Sequence, residues 1–221
     1  MGDDDVKIAR LDALFDQIAE QGARLFILGD LFDFWFEYNT VVQKDHLVII
    51  EMLAKLRRRG IQIDLLVGNH DFWVGRFFKH HLGINIHRDP FELQIADKII
   101  FLAHGDGLGK GDLGYKAIKV LLRNPFTIWL YGLIHPDIAV PLAKWFSKIS
   151  RNCHQPLDPK PLIDFAELKF SQGYDHVVMG HIHLPVIHQQ NGHSYLNLGD
   201  FITHFSYGIY QNGILSLEYL Q

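Results

Sequence analysis

Four apolar runs in this chain end in the same way, and that repetition constrains its fold more than any other feature. "RLFILGD" (24–30), "IDLLVGNHD" (63–71), "IIFLAHGD" (99–106) and "HVVMGHIH" (176–183) each lead into a glycine with Asp, Asn or His beside it. Short apolar runs closed by glycine read as buried strands. Between the first two runs, "HLVIIEMLAKLRRR" (46–59) has helical apolar spacing, and the stretch 8–19 places Ile8, Leu11, Leu14, Phe15 and Ile18 on one helical stripe. Helices alternating with buried strands predict an α/β fold with parallel pairing. In such sheets ligands gather at the carboxyl ends of the strands, where these four polar clusters fall.

"FELQI" and "KIIFLA", on either side of Ala96 and Asp97, read as a hairpin. Asn191-Gly192 and Asn212-Gly213 predict two more tight turns near the end of the chain. A helical stretch after Gly114, reaching about Ser150, is punctuated by Pro125, Pro136 and Pro141. With 221 residues, 48% of them hydrophobic, and no low-complexity linker, a single domain over 1–221 is expected.

The polar clusters carry chemistry that none of them establishes alone. A single Gly-Asp after a strand is as well explained by a capped turn. Four clusters in this order point instead to one site. Oxygen and imidazole donors without thiolate suit a borderline-hard divalent metal. A carboxylate among the aromatic residues of "GDLFDFWFEY" (29–38) needs a positive partner, since an unpaired charge is costly where water is excluded.

Charge and cysteine content narrow the setting. A net charge of −4 gives no basic field suited to nucleic acid. The single cysteine, Cys153, cannot form an internal disulfide, which favours a cytoplasmic setting. The acidic start "MGDDD" lacks the basic and apolar regions of a secretory signal.

The ordered motifs "GDLFD", "GNHD", "HGD" and "GHIH" resemble the calcineurin-like metallophosphoesterase superfamily. Within it, "GDLFDFWFEYNTVV", "HGDGLGKGDLGYK" and "SKISR" resemble the UDP-2,3-diacylglucosamine hydrolases of lipid A synthesis, in their Bacteroidetes-type branch. The resemblance covers most of the chain, from about Gly29 to Asp200. It implies a four-layer α/β/β/α sandwich with a helical lid inserted at about 107–150 and a two-metal site, with manganese as the expected cation. Asp30 would bridge the metals, Asn69, His104 and His181 would complete one, and His183 would bind the other. His70, oriented by Asp71, would stabilise charge on the phosphate or protonate the leaving group, while Asp33 and Asp106 would support the ligands from outside. Two cations held in this way can grip both the attacking and leaving oxygens of a phosphoryl displacement.

The implied substrate is a nucleotide-activated glycolipid, cleaved at its diphosphate to 2,3-diacylglucosamine 1-phosphate and UMP at the inner face of a membrane. Lys116 with Lys119 and Arg123, and Lys144 with Lys148 and Arg151, fall at helical spacing around Trp129, Tyr131, Trp145 and Phe146. Lys116, Lys148 and Arg151 are the basic residues expected to bind substrate. A solvated charged face is the plainer account of the same pattern.

One family motif is missing. The first two ligands of one metal come, in the family, from an Asp-x-His after an N-terminal strand, and no Asp-x-His occurs in this sequence. An incompletely started sequence, short by about fifteen residues, is the favoured explanation, ahead of a one-metal relative or replacement by Asp3, Asp4 or Asp5. For the chain as given, the resemblance implies weak or absent catalysis. Alternatives to the lipid hydrolase are a phosphoesterase of another phosphodiester or diphosphate, and a non-catalytic scaffold.

Overall fold

The structure is a computed structural model that describes residues 3–71, 73–108, 120, 122–153 and 158–220, with the backbone alone given for 3, 4 and 146–153. Helix α1 (Asp3–Gln21) leads into β1 (Leu25–Ile27), and a short 3-10 turn at Lys44–His46 precedes α2 (Leu47–Arg58). Strand β2 (Ile63–Leu66), α3 (Arg76–His81), β3 (Asn85–His87) and the hairpin of β4 (Phe91–Ile95) with β5 (Lys98–Leu102) follow. From Pro125 onward, helices α4 (Pro125–Gly132) and α5 (Pro136–Cys153) lie in the region of the expected insertion. The chain closes with α6 (Lys160–Ser171), β6 (His176–Met179), β7 (Pro185–Gln190), β8 (His193–Leu198), β9 (Ser206–Gln211) and β10 (Ile214–Tyr219).

Strands β1, β2 and β3 form a parallel sheet in that order. A second, five-stranded sheet runs β4-β5-β6-β8-β7, with β5, β6 and β8 mutually parallel and β4 and β7 antiparallel at its edges. The β9–β10 hairpin pairs only with itself. The predicted Asn-Gly turns join β7 to β8 and β9 to β10, and Asn191 and Asn212 take the left-handed conformation such turns require.

Alternating side chains build four layers from these pieces. On β2, Ile63 and Leu65 pack with Phe15, Leu53 and Leu56 of the first two helices, while Leu66 turns the other way toward Leu28, Ile100, Leu102, Val178 and Leu196. On β6, Val177 and Met179 meet Leu162, Ala166 and Phe170 of α6, and Val178 faces the first sheet. Both sheets are therefore apolar on two faces, which explains why their strands read as unbroken hydrophobic runs. Tyr210, Leu215 and Leu217 of the last hairpin complete the cluster between the sheets. The result is the expected α/β/β/α order.

Boundaries shift in physically simple ways. Helix α1 begins at Asp3 rather than Ile8, so the acidic residues lie inside its first turn, where negative charge suits the helix dipole. Among the described residues, the part of the helical stretch from Pro125 onward is two helices broken before Pro136, with Pro141 tolerated inside the second. Strand β3 and helix α3 span only three and six residues, too few for periodicity to register.

A candidate metal centre at the strand ends

The parallel strands deliver the four polar clusters to one rim. Asp30 follows β1, Asn69 to Asp71 follow β2, His104 to Asp106 follow β5, and His181 to His183 follow β6. Donor atoms of Asp30, His104 and His181 all lie within 4.8 Å of one another. Asn69 joins them: its Oδ1 stands 3.0 Å from His104 Nε2 and 3.2 Å from His181 Nδ1. His104 Nε2 is also 3.3 Å from Asp30 Oδ2.

The backbone is bent sharply to achieve this. Asp30, His181 and His183 have φ of 52°, 74° and 56°, a left-handed conformation that costs a residue bearing a Cβ about 1–2 kcal/mol. Gly68, at the end of β2, presses its backbone against Asp30, and any Cβ there would overlap Asp30 Oδ1. Asp30 Oδ1 accepts from the His70 amide at 3.0 Å, and the Gly180 amide donates to the His104 carbonyl at 2.9 Å, so neighbouring loops hold each other in place.

Burial and charge then set the protonation states. Burial opposes ionisation of Asp30, yet the charges of His104 and His70 and the bonds they donate outweigh it and hold the carboxyl well below its usual range. Burial works against a charged His104 as well, but Asp30 reverses that and raises the imidazole to about 9. His181 is pushed down to about 4 by burial and by the neighbouring His104. Asp71, fully buried, is raised to about 6 by burial and by the Asp30 charge.

This donor set fits a divalent cation. It combines a carboxylate, an amide oxygen and two imidazoles, the mixture that borderline-hard metals accept. His104 Nδ1 donates to the Leu28 carbonyl at 2.7 Å, which turns Nε2 toward the centre, the outer bond expected of a metal-binding histidine.

The remaining expected residues fall into distinct places. His183 is exposed and stands outside the cluster, close enough to His181 to depress it further. Asp106 is 9% exposed, and its charge favours protonation of both His104 and His181. Asp71, expected to orient His70, accepts from the backbone amides of Gly68 and Leu31, each at 2.7 Å, and so ties the β2 loop to the β1 loop. Asp33 is exposed and lies outside the donor cluster. Lys116 lies outside the described residues, as do the side chains of Lys148 and Arg151.

Two further residues support the site from behind. Asn197, buried on β8, donates to the Gly180 carbonyl at 2.6 Å and so anchors the loop that carries His181. Its signal was a lone amide within the apolar strand "YLNL". His46 is also buried, with Nε2 2.9 Å from the Phe34 carbonyl and its ring 4.4 Å from that of Phe32, and it braces the aromatic segment after Asp30.

Comparison with known proteins completes the picture. Residues 5–185 match the calcineurin-like phosphoesterase family. A relative named UDP-2,3-diacylglucosamine hydrolase from Porphyromonas gingivalis is 29% identical over 233 residues, covering 96% of this chain and 89% of its own length. Another of the same name from Haemophilus influenzae is 31% identical over 213 residues, with 89% and 86% covered.

Proposed function

Because the chain belongs to the calcineurin-like phosphoesterase family, a family of metal-dependent hydrolases, we propose that it hydrolyses the diphosphate of UDP-2,3-diacylglucosamine, as its relatives are named for doing. The products would be UMP and 2,3-diacylglucosamine 1-phosphate. The observation that carries the reading is the convergence of Asp30, Asn69, His104 and His181 within one family-matched chain.

These four residues would hold a divalent cation, and manganese suits their mixed oxygen and nitrogen donors. Such a cation supplies Lewis-acid polarisation of a phosphoryl oxygen. Asp30 contributes the charge that draws the cation in, and Asn69 adds an oxygen without adding charge, so the centre stays attractive to a diphosphate. His70, whose amide is fixed on Asp30, sits beside the centre and would donate a proton or hydrogen bond toward the leaving oxygen. His183, exposed at the rim, would extend the centre toward a second cation.

The helical insertion suits the lipid half of this substrate. Phe126, Trp129, Leu133, Ile138 and Trp145 are each more than half exposed. Tyr131 connects this surface to the core: its ring packs on Phe36 and Trp73, and its hydroxyl donates to the Ala139 carbonyl at 2.7 Å. Apolar exposure on this scale suits peripheral contact with a membrane surface. Among the described residues no helix is long and apolar enough to cross a membrane.

The direct test is hydrolysis of UDP-2,3-diacylglucosamine by the purified, manganese-loaded protein, with UMP release as the readout. Release of UMP that stops in the His181→Ala variant supports the assignment. Turnover of a simple phosphodiester without turnover of the lipid would overturn the substrate and leave the family chemistry.

A further inference from the structure

We infer that Asn197 is a positioning residue for the metal centre, its side-chain amide holding in place the strained turn from which His181 projects. This rests on the reading of Asp30, Asn69, His104 and His181 as cation ligands. It adds a residue that governs the grip of that centre without touching the cation.

His181 occupies the apex of an unusual turn. Its φ is 74°, and the Ile182 amide donates back to the Gly180 carbonyl, two residues earlier, at 3.0 Å. A three-residue turn closed in this way around a positive φ is the rare, strained form of γ-turn. His183 is left-handed as well, at 56°, so "GHIH" holds two residues where a Cβ is crowded by its own backbone. Such strain persists only where surrounding contacts over-determine the chain.

Asn197 supplies that constraint. Strand β8 runs parallel to β6 with Asn197 opposite Met179, which brings its side chain beside the residue that opens the turn. The residue is fully buried, and both ends of its amide are engaged. Nδ2 donates to the Gly180 carbonyl at 2.6 Å and to the Tyr195 hydroxyl at 3.2 Å, while Oδ1 accepts from the Gly199 amide at 3.2 Å. A carbonyl on one side and an N–H on the other permit only this orientation of the amide. The bond to Gly199, two residues on in the same chain, keeps Nδ2 aimed at Gly180.

Gly180 is thereby held from two directions. Its amide donates to the His104 carbonyl at 2.9 Å, and its carbonyl accepts from both Asn197 and Ile182. The two imidazoles of the centre therefore meet at one residue, and Asn197 is the side chain that fixes it. Releasing that carbonyl frees the turn to relax toward negative φ. His181 Nδ1, now 3.2 Å from Asn69 Oδ1, would then swing away from the other donors.

Manganese titration by calorimetry of Asn197→Asp and Tyr195→Phe, at a temperature where melting curves show each variant folded, tests the inference. Asn197→Asp keeps an acceptor for the Gly199 amide but turns an oxygen toward the Gly180 carbonyl. Its manganese affinity should fall at least about tenfold, the scale of disturbing a group behind a metal ligand. Tyr195→Phe removes the other partner of the same amide, so it should lower the melting temperature and leave the affinity unchanged. If Asn197→Asp does not fold, Asn197→Ser, uncharged and one bond short of the carbonyl, should show the same loss. The visible spectrum of the cobalt-loaded protein, which responds to ligand arrangement, should shift in the Asn197 variant and not in Tyr195→Phe. Unchanged affinity and spectrum in a folded Asn197 variant, or an equal loss of affinity in Tyr195→Phe, would overturn the inference and leave the metal centre standing. An unaltered protein that binds no manganese would overturn the centre and the inference together.

Discussion

Gly68 and Asp30 stand in such close contact that a methyl group on the first would occupy the space of a carboxylate oxygen on the second. The end of β2 thus fixes the Asp30 carboxyl from behind, while the His70 amide fixes it from the side. Gly68→Ala should move Asp30 off the donor cluster. The expected loss is about 10–100-fold in cation affinity, the usual effect of disturbing groups behind a metal ligand. Manganese titration by calorimetry checks it, and unchanged affinity would contradict the geometry.

Cation binding should also register as stability. At a hundredfold excess over its dissociation constant, a cation that binds only the folded chain adds about 2.7 kcal/mol. Manganese should therefore raise the melting temperature, and a chelator should return it to the starting value. His181→Ala and Asn69→Ala should each remove most of the manganese-dependent rise, because each subtracts one of four converging donors. A full rise in both variants would mean that the cation sits elsewhere.

Asp64 provides a pH-dependent contribution far from the metal centre. Its side chain is 1% exposed on β2 and accepts from Arg24 at 2.8 Å and from Asn85 at 3.2 Å, with His87 Nε2 2.9 Å away. Burial opposes its ionisation, but these three partners prevail and lower its pKa. Because the folded value lies below the unfolded one, the stabilisation is complete above about pH 4. It is lost as pH falls through the folded value. Asp64→Asn should cost about 2–3 kcal/mol at pH 7. Urea unfolding at pH 7 and at pH 3 should show that deficit shrinking in acid.

The exposed insertion helices should bind lipid. Paired Phe126→Asp and Trp129→Asp changes remove side chains that are 66% and 58% exposed. Their loss should reduce co-sedimentation with anionic phosphatidylglycerol vesicles by at least about tenfold, since each large apolar side chain contributes about 1.5–3 kcal/mol when fully buried. The variant should keep its melting temperature, because neither residue belongs to the core.

The sequence displays the site through its strands and conceals what depends on side-chain direction. "LLVGNHD" announces both a buried strand and the donors behind it, because apolar burial and strand-end chemistry are adjacent in the chain. Asp71 shows the limit. Its place in "GNHD" says nothing of its bond to the Leu31 amide, which depends on two loops 40 residues apart. Strand β3 left no legible pattern because two of its three residues are Asn85 and His87.

The wide spacing of the donors has a consequence for how this protein acquires its metal. Asn69 and His181, separated by 112 residues, share one oxygen's surroundings, and Asp30 and His104 come from two further strands in two different sheets. No fragment ending before β6 contains the set, so a nascent or clipped chain offers a cation at most three of the four donors. The metal can recognise this protein only after both sheets have closed on each other. Its retention is then a gauge of completed assembly, usable in any preparation without reference to catalysis.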